Sequence, residues 1–266
     1  MNHLLRQIAP ISESGWALLD QEARQRLGAT LGARKLVDYG GPYGWHFSAA
    51  NLGRVKAVVA EPGDAVSALQ RVVLPAVEFR TDFVLSRDAL SDYDRGAVDT
   101  DLTALDEAAH RIAVAENSAV FHGLEETGIS GIAEASTQAP IPLGEDVKTY
   151  PRHVAQAVEM LRNAGVGGPF GLALGPRAYT ASTEVVELSG LVLDHLAEIL
   201  EGPVVWAPGV RGGVVLSQRG SDFLMEVGQD LSIGYDHHDA ETVHLYFEES
   251  FVVRIATPEA AVWLKP

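Results

Sequence analysis

Residues 100–122 predict one long helix, and this segment constrains the fold more than any other. Its apolar residues recur at spacings of three and four, which places them on one side of a helix. Alanine is dense in the same stretch, and alanine favours helix and allows neighbouring elements to approach closely. The apolar positions are Leu102, Leu105, Ala109, Ile112, Ala113 and Val120. The chain must therefore fold around a helix of about six turns that packs tightly along its length.

A second helix is predicted near the start of the chain. Ser12 or Ser14 is suited to cap it, because a hydroxyl oxygen accepts from free backbone N–H groups. One apolar stripe follows, and the helix should end near Gly32. The stripe consists of Trp16, Leu19, Ala23, Leu27 and Leu31. We expect it to pack on the chain's own core, and a groove for a partner is the alternative.

The remaining segments mix helix and strand. Residues 77–85 alternate apolar and polar side chains, as does the stretch 243–255, where Glu249 interrupts the apolar face. A helix should begin at Pro151, and residues 177–200 indicate two helices separated near Gly190. Helices and strands do not follow the regular alternation of a doubly wound sheet. The sequence therefore predicts an α+β fold.

Composition removes several classes of function. Lys plus Arg total 20 and Asp plus Glu total 36, so the formal net charge is -16. This charge disfavours nonspecific binding to nucleic acid or to anionic membranes, and we predict neither partner. Cysteine is absent, which excludes disulfides, thiolate zinc sites and thiol catalysis. No run of about 18 apolar residues occurs, and residues 1–10 lack a signal-peptide core, so a cytoplasmic protein is expected.

No motif in the sequence matches a catalytic or metal-binding pattern closely enough to predict such a site. Residues 128–131 (GISG) lack the spacing of a nucleophile elbow and are better suited to a turn after the long helix. The histidines of residues 236–239 (DHHD) would point to opposite faces of a strand, so we interpret this cluster as a polar hairpin turn. The pair Glu248 and Glu249 is interpreted as solvated surface. We predict no catalytic residue, no metal site and no cofactor, and therefore a binding or structural protein.

Several blocks of the sequence resemble one known family, and they follow the family's order along almost the whole chain. The blocks are residues 4–12 (LLRQIAPIS), 34–38 (RKLVD), 41–45 (GPYGW), 83–85 (FVL), 94–96 (DRG), 116–123 (ENSAVFHG), 128–132 (GISGI) and 228–235 (GQDLSIGY). The last block is the most specific. The chain thus resembles the encapsulin shell proteins, the linocin-like bacteriocin family of bacterial nanocompartments.

The resemblance implies the phage major-capsid (HK97-type) fold, with a peripheral domain, an axial domain and an extended loop. Residues 1–45 would form the N-terminal helix and arm, and residues 46–85 the extended loop that reaches a neighbour. Residues 86–134 would hold the spine helix of the peripheral domain, and residues 135–221 the axial domain. Residues 222–266 would return to the peripheral domain.

The function implied by the resemblance is architectural. Copies of the chain would form a closed icosahedral shell, with triangulation number one and about sixty chains. The shell would enclose a cargo enzyme, either a ferritin-like iron-oxidising protein or a dye-decolorising peroxidase, docked by a short targeting peptide. Two alternatives stay open at this point: a phage major capsid protein of the same fold, and a protease or bacteriocin-like enzyme.

Cargo docking is expected on the inner wall, between the first helix and the terminal strands. The residues in the matching blocks are Arg34, Asp38, Asp230, Ile233 and Tyr235. Ile233 would line an apolar pocket and Tyr235 would add an aromatic wall, while Arg34 and Asp38 would orient polar groups of the peptide. The alternative interpretation is that these residues hold the peripheral domain together.

A pore is expected where a loop of the axial domain lines the five-fold opening. The candidate residues are Glu187, Leu188, Ser189, Gly190 and Leu191, at the predicted break between two helices. Glu187, repeated by symmetry, would form a ring of negative charge that favours cations such as ferrous iron. The alternative is an ordinary surface turn far from any symmetry axis.

Overall fold

The computed structural model describes residues 3–58, 67–187 and 190–266. The α-helices are α1 Glu13–Thr30, α2 Arg87–Asp94, α3 Thr103–His122, α4 Ile132–Ala135, α5 Tyr150–Asn163, α6 Pro176–Glu184 and α7 Val192–Leu200. The strands are β1 Asp38–Gly40, β2 Ala49–Val58, β3 Ala68–Pro75, β4 Val77–Ser86, β5 Ile141–Pro142, β6 Phe170–Leu174, β7 Val186–Glu187, β8 Gly190–Leu191, β9 Val204–Trp206, β10 Gly213–Ser217, β11 Phe223–Val227, β12 Ser232–His238, β13 Thr242–Ile255 and β14 Ala261–Lys265.

The first sheet is built around β13. This strand pairs antiparallel with β4 along one edge, and with β12 and then β11 along the other, while β1 adds to β11 in parallel. Helix α3 packs against β4 and β13, and α1 packs against α3. The core between them contains Leu19, Leu27, Phe83, Leu105, Ile112, Leu245 and Phe247. The stripe predicted for α1 therefore packs mainly on the chain's own core.

The second sheet has the order β5-β14-β10-β6-β9. Strands β6 and β10 are buried at every position, because helices α5 and α7 cover this sheet. The final strand, β14, pairs with β10 and β5. Residues 222–266 are expected from the resemblance to return to the peripheral domain, and within that range residues 261–265 pair with strands of the second sheet, not the first.

Strands β2 and β3 form a hairpin that pairs with no other strand of the described chain. Beyond Ala50 most of its side chains are exposed, including Val55, Val58, Leu69 and Val73. A two-stranded ribbon with no core of its own is marginally stable in water. The hairpin lies within residues 46–85, where an extended loop is expected, whereas residues 77–85 of that range belong to β4 of the first sheet.

The first helix shows how local sequence defines an element. The Oγ atom of Ser12 accepts from the Gly15 N–H at 2.9 Å, which caps the first turn of α1. The helix ends at Thr30, close to the predicted stop at Gly32. Among the described residues, no helix is both long and apolar enough to cross a bilayer.

Candidate functional site

A groove of about 540 Å³ lies between α1 and the first residues of β12, and we call it the α1–β12 groove. Its floor is apolar, because Ile233 and Phe247 are almost fully buried beneath it. Its rim carries charges of both signs. The lining residues are Arg6, Asp20, Ala23, Arg24, Leu27, Gly28, Leu31, Arg34, Asp230, Leu231, Ser232, Ile233 and Phe247. This arrangement suits a short segment with apolar side chains and a few polar groups.

Helical spacing explains how α1 contributes its wall. Ala23, Leu27 and Leu31 recur every four residues and therefore share one face. Leu231, which is half-buried, lies at the entrance to β12 on the opposite side. The N-terminal arm closes one end, where the Arg6 Nη2 atom is 2.7 Å from Asp20 Oδ2.

Arg34 is held by three carboxylates where the groove meets the core. Its Nε donates to Glu116 Oε2 at 2.7 Å, its Nη1 to Asp230 Oδ1 at 2.7 Å, and its Nη2 to Glu249 Oε2 at 2.9 Å. Burial opposes the charge of this guanidinium, but the three carboxylates outweigh that effect and raise its pKa. Arg34 is therefore a fixed cation.

Two of these carboxylates are completely buried. Glu116 comes from α3 and Glu249 from β13, and both side chains have zero exposure. Burial raises the pKa of Glu116, and burial together with the neighbouring Glu116 raises the pKa of Glu249 well above its ordinary value. The interpretation of Glu248 and Glu249 as solvated surface is wrong, because β13 is the central strand of its sheet and both residues are buried.

Two of the predicted docking residues lie outside the groove. Asp38, at the start of β1, accepts from the Ser221 N–H at 2.5 Å and borders a separate polar cavity of about 190 Å³. Tyr235 is buried in the core, and its hydroxyl oxygen lies 2.6 Å from His238 Nδ1. The structure thus brings Arg34, Asp230 and Ile233 together and leaves Asp38 and Tyr235 apart from them.

The predicted pore segment connects α6 to α7. Strands β7 and β8 pair antiparallel, with Glu187 opposite Gly190. Gly190 has φ 127°, a backbone conformation that glycine adopts without strain. The predicted residues Leu188 and Ser189 lie outside the described residues. The separation of two helices, α6 and α7, near Gly190 agrees with the sequence analysis, and the pore stays a prediction.

Residues 236–238 form the end of β12, and Asp239 begins the turn between β12 and β13. The Asp239 carboxylate accepts from the backbone N–H groups of Glu241 and Thr242, which is the geometry of a polar hairpin turn. The interpretation of the segment as a polar hairpin turn is therefore correct for Asp239 and wrong for residues 236–238, which extend β12 and pair with β13. Within the described ranges, no group of three or more His, Cys, Asp or Glu side chains is placed to hold a metal ion.

Comparison with known proteins identifies the family. A family model described as an encapsulating protein for peroxidase matches residues 1–252. A type 1 encapsulin shell protein of Rhodospirillum rubrum is 46% identical, and the alignment covers 100% of this chain and 97% of that protein. One from Brevibacterium linens is 38% identical, with 98% of each chain covered. The chain belongs to the type 1 encapsulin shell protein family.

Solved structures confirm the fold of this encapsulin chain. The virus-like particle of Pyrococcus furiosus aligns with a TM-score of 0.66 at 18% identity, covering 94% of this chain and 99% of the other. The capsid of Myoviridae phage XM1 aligns with a TM-score of 0.54 at 10% identity, covering 88% and 90%. The expected α+β, HK97-type capsid fold is therefore confirmed. The encapsulin chain is a structural shell protein rather than an enzyme.

Sequence reasoning missed Glu116 and Glu249 as members of the site in this encapsulin chain. A signal for Glu249 was present, since it interrupts an otherwise apolar alternation in β13. Glu116 follows Ile112 by four residues and thus continues the apolar face of α3. A charged residue on a core-facing stripe predicts a buried partner of opposite charge, here Arg34.

Proposed function

We propose that this chain assembles into a closed icosahedral shell of about sixty copies that encloses a cargo protein. Membership of the encapsulin family supports shell formation. A phage capsid role is disfavoured, because relatives aligned over the whole chain are named shell proteins. The exposed β2–β3 hairpin supports contact with a neighbouring copy, since its apolar side chains Val55, Val58, Leu69 and Val73 are exposed and it pairs with no other strand of the described residues.

The α1–β12 groove is the proposed docking site for a targeting peptide of the cargo. The observation that carries this proposal is its composition, an apolar floor beside a rim of paired charges. Apolar side chains of the peptide would pack on Leu27, Leu231 and Ile233. Arg34 and Asp230 would orient its polar groups at one end. Asp38 lies outside the groove and is not part of this proposal.

Tyr235 would act on the groove indirectly. Its backbone N–H donates to the Leu4 carbonyl oxygen at 2.9 Å, and this bond fixes the N-terminal arm to β12. The same arm brings Arg6 to the rim of the groove. Tyr235 would therefore hold the arm in place rather than touch the peptide.

The cargo is proposed to be an enzyme with reactive chemistry. The name of the matching family model mentions peroxidase, which supports a dye-decolorising peroxidase. A ferritin-like iron-oxidising protein is the other class that the family resemblance implies, with roles in iron storage and oxidative stress. The shell is proposed to work in the cytoplasm, with neither nucleic acid nor membrane as a partner, since the net charge of -16 disfavours both.

Leu231→Glu is expected to empty the shells without preventing their assembly. Burial of a leucine side chain against an apolar peptide contributes about 1.5–3 kcal/mol to the binding free energy. A tenfold change in affinity corresponds to about 1.4 kcal/mol. We therefore expect at least a tenfold fall in co-purified cargo, measured by mass spectrometry of purified particles. Ile233 is unsuitable for this test, because a charge at a side chain that is 2% exposed would disrupt the core.

The matched control is Val98→Glu, at a residue that is 98% exposed in the segment between α2 and α3. Negative-stain images and particle mass should show intact shells for both variants. Val98→Glu should keep its normal cargo content. Normal loading of Leu231→Glu shells would place docking elsewhere, and only monomers or small oligomers of the unmodified chain would contradict the shell itself.

The β7–β8 hairpin is the proposed lining of a pore, with Glu187 forming a ring around the opening. We expect Glu187→Gln to slow ferrous uptake several-fold in shells that hold an iron-oxidising cargo, because a ring of carboxylates concentrates cations. The effect should shrink as ionic strength rises. Glu184→Gln, at an exposed position at the end of α6, is the control. Equal uptake by both variants at low salt would exclude Glu187 from the pore.

A further inference from the structure

The buried cluster around Arg34 has an excess of negative charge. One guanidinium contacts Glu116, Glu249 and Asp230, each at 2.7 to 2.9 Å. Two of these carboxylates are fully buried, whereas the Asp230 side chain is 43% exposed. Three ionised carboxylates would leave two negative charges uncompensated at the edge of the core, where water screens them poorly.

The cluster also has more hydrogen-bond acceptors than donors. The Oε1 atoms of Glu116 and Glu249 are buried and have no donor among the described residues. Both carboxyl groups contact the same nitrogen, Arg34 Nη2, at 2.7 and 2.9 Å, and they therefore lie side by side. Two carboxyl groups hydrogen-bond to each other only when one of them carries a proton. A proton held by this pair would supply a donor that the cluster lacks and would remove one of the excess charges.

We propose that Glu116 and Glu249 share one proton, and that its loss at rising pH releases Asp230 from Arg34 and loosens the wall of the α1–β12 groove. The proton would go to solvent and leave three carboxylates around one cation. Glu116 is fixed within α3 and Glu249 within the central strand of the first sheet. Asp230 lies in the turn before β12 and is partly exposed, so it is the carboxylate that can move into water.

Movement of Asp230 would reach the groove directly. Its Oδ1 also accepts from the Leu231 N–H at 2.8 Å, and this amide belongs to the residue that forms one wall of the groove. Breaking the contact with Arg34 would therefore free the turn that positions Leu231. The inference that proton loss controls cargo docking rests on the proposed function. The inference that proton loss releases Asp230 does not.

The described residues place five ionisable groups in this cluster, and each comes from a different element. They are Arg34 in the 3-10 turn after α1, Tyr39 in β1, Glu116 in α3, Asp230 in the turn before β12 and Glu249 in β13. Burial, with a contribution from Asp230, raises the pKa of Tyr39 to about 12. Arg34 and Tyr39 therefore keep their protons throughout the range in which the carboxyl pair would titrate.

The direction of the pH effect follows from the raised pKa of Glu249. The folded chain keeps a proton that the unfolded chain releases near the ordinary glutamate pKa. Stability from this proton is complete below that ordinary pKa and is lost as the pH rises toward the folded pKa. Fully buried glutamates can titrate as high as about pH 8–9. The groove is thus expected to be ordered in mild acid and looser in mild alkali.

Hydrogen exchange of purified shells, measured by mass spectrometry, tests the switch without any cargo. Protection of the Leu231 amide, corrected for the intrinsic effect of pH, should fall about tenfold or more between about pH 6 and about pH 9. Glu249→Gln should abolish this dependence, because a neutral amide of the same shape mimics the protonated acid. Glu248→Gln is the matched control and should keep it, since Glu248 is buried next door but contacts His3 instead.

Three results would overturn the inference: constant protection in the unmodified shell, unchanged pH dependence in Glu249→Gln, or its loss in Glu248→Gln. Should Glu249→Gln fail to form shells, Glu116→Gln removes the same shared proton and makes the same test. Retention of the co-purified cargo protein at both pH values then tests regulation. Equal retention at both pH values would contradict control of docking by the switch, normal loading of Leu231→Glu shells would contradict the docking site, and the exchange result alone decides the switch itself.

Discussion

Replacing Asn117 with leucine is expected to prevent the chain from folding, although the two side chains branch at the same carbon. Asn117 is fully buried in α3, where its Oδ1 accepts from the Ala33 N–H at 2.9 Å. Its Nδ2 donates to the carbonyl oxygens of Thr30 and Pro208, both at 2.9 Å. One amide thereby joins the end of α1, the turn after it and the segment between β9 and β10.

Leucine would leave the Ala33 N–H and the Pro208 carbonyl oxygen without a partner among the described residues, whereas the Thr30 carbonyl oxygen keeps the Gly32 N–H at 2.9 Å. Each unsatisfied buried group costs about 1–3 kcal/mol, and a domain is stable by only about 5–15 kcal/mol in total. We therefore expect little or no soluble shell, measured by particle yield and by thermal unfolding. Asn163→Leu, at an exposed position at the end of α5, should change the midpoint by little. An Asn117→Leu shell that melts at the normal temperature would contradict this account.

The helices and strands of this chain were largely predictable because their signals are local. The cap at Ser12 and the alanine-rich stripe of α3 lie within a few residues of the structure they define. The alternation of residues 77–85 likewise became β4, with Phe83 and Leu85 in the core. Such patterns depend on the geometry of one element and need no knowledge of its neighbours.

The site was less predictable because its members are distant in sequence. Arg34 meets Glu116 across 82 positions and Glu249 across 215 positions. A scan of short motifs pairs Glu249 with its neighbour Glu248, which contacts a different partner, His3. Only the tertiary arrangement of α3 against β13 brings the two acids together. The residues most important for the electrostatics of the site were therefore the ones that the motifs did not reveal.

Proximity in sequence was also misleading within the matching blocks. Asp38 follows Arg34 by four residues, yet it lies outside the groove, because the chain leaves the 3-10 turn and enters β1 between them. Tyr235 follows Ile233 by two residues, so both point to the same buried face of β12. Tyr235 lies further along that face, toward His238 at the end of the strand, and does not reach the groove.

The crossing between the end of α3 and the start of α4 is the second place where a small change should have a large effect. Gly123 and Gly131 bring two backbone segments into direct contact there. A Cβ atom on Gly131 would overlap the backbone of Gly123 and His122, and one on Gly123 would lie 2.7 Å from the Gly131 nitrogen. Gly123 also has φ 75°, which other residues rarely adopt.

Gly131→Ala is therefore expected to reduce shell yield strongly and to lower the thermal midpoint of any particles that form. The added methyl group meets backbone atoms on a second element, so relief requires α4 to move away from α3 and to open the core at Ile132. Overpacking of this kind costs about 1–3 kcal/mol, and more where the backbone must shift. For a chain of this size, each 1 kcal/mol of destabilisation lowers the thermal midpoint by about 2–4 °C.

Gly167→Ala is the matched control for this substitution, because a Cβ atom at Gly167 would meet nothing within 4 Å and the residue has no positive φ. Its thermal midpoint and particle yield should equal those of the unmodified chain. The contrast separates a steric effect at the crossing from the general effect of removing a glycine, since both substitutions change backbone entropy in the unfolded chain equally. Equal stability of the two variants would show that α4 is free to move, and that the close contact of Gly123 with Gly131 does not hold the spine helix in place.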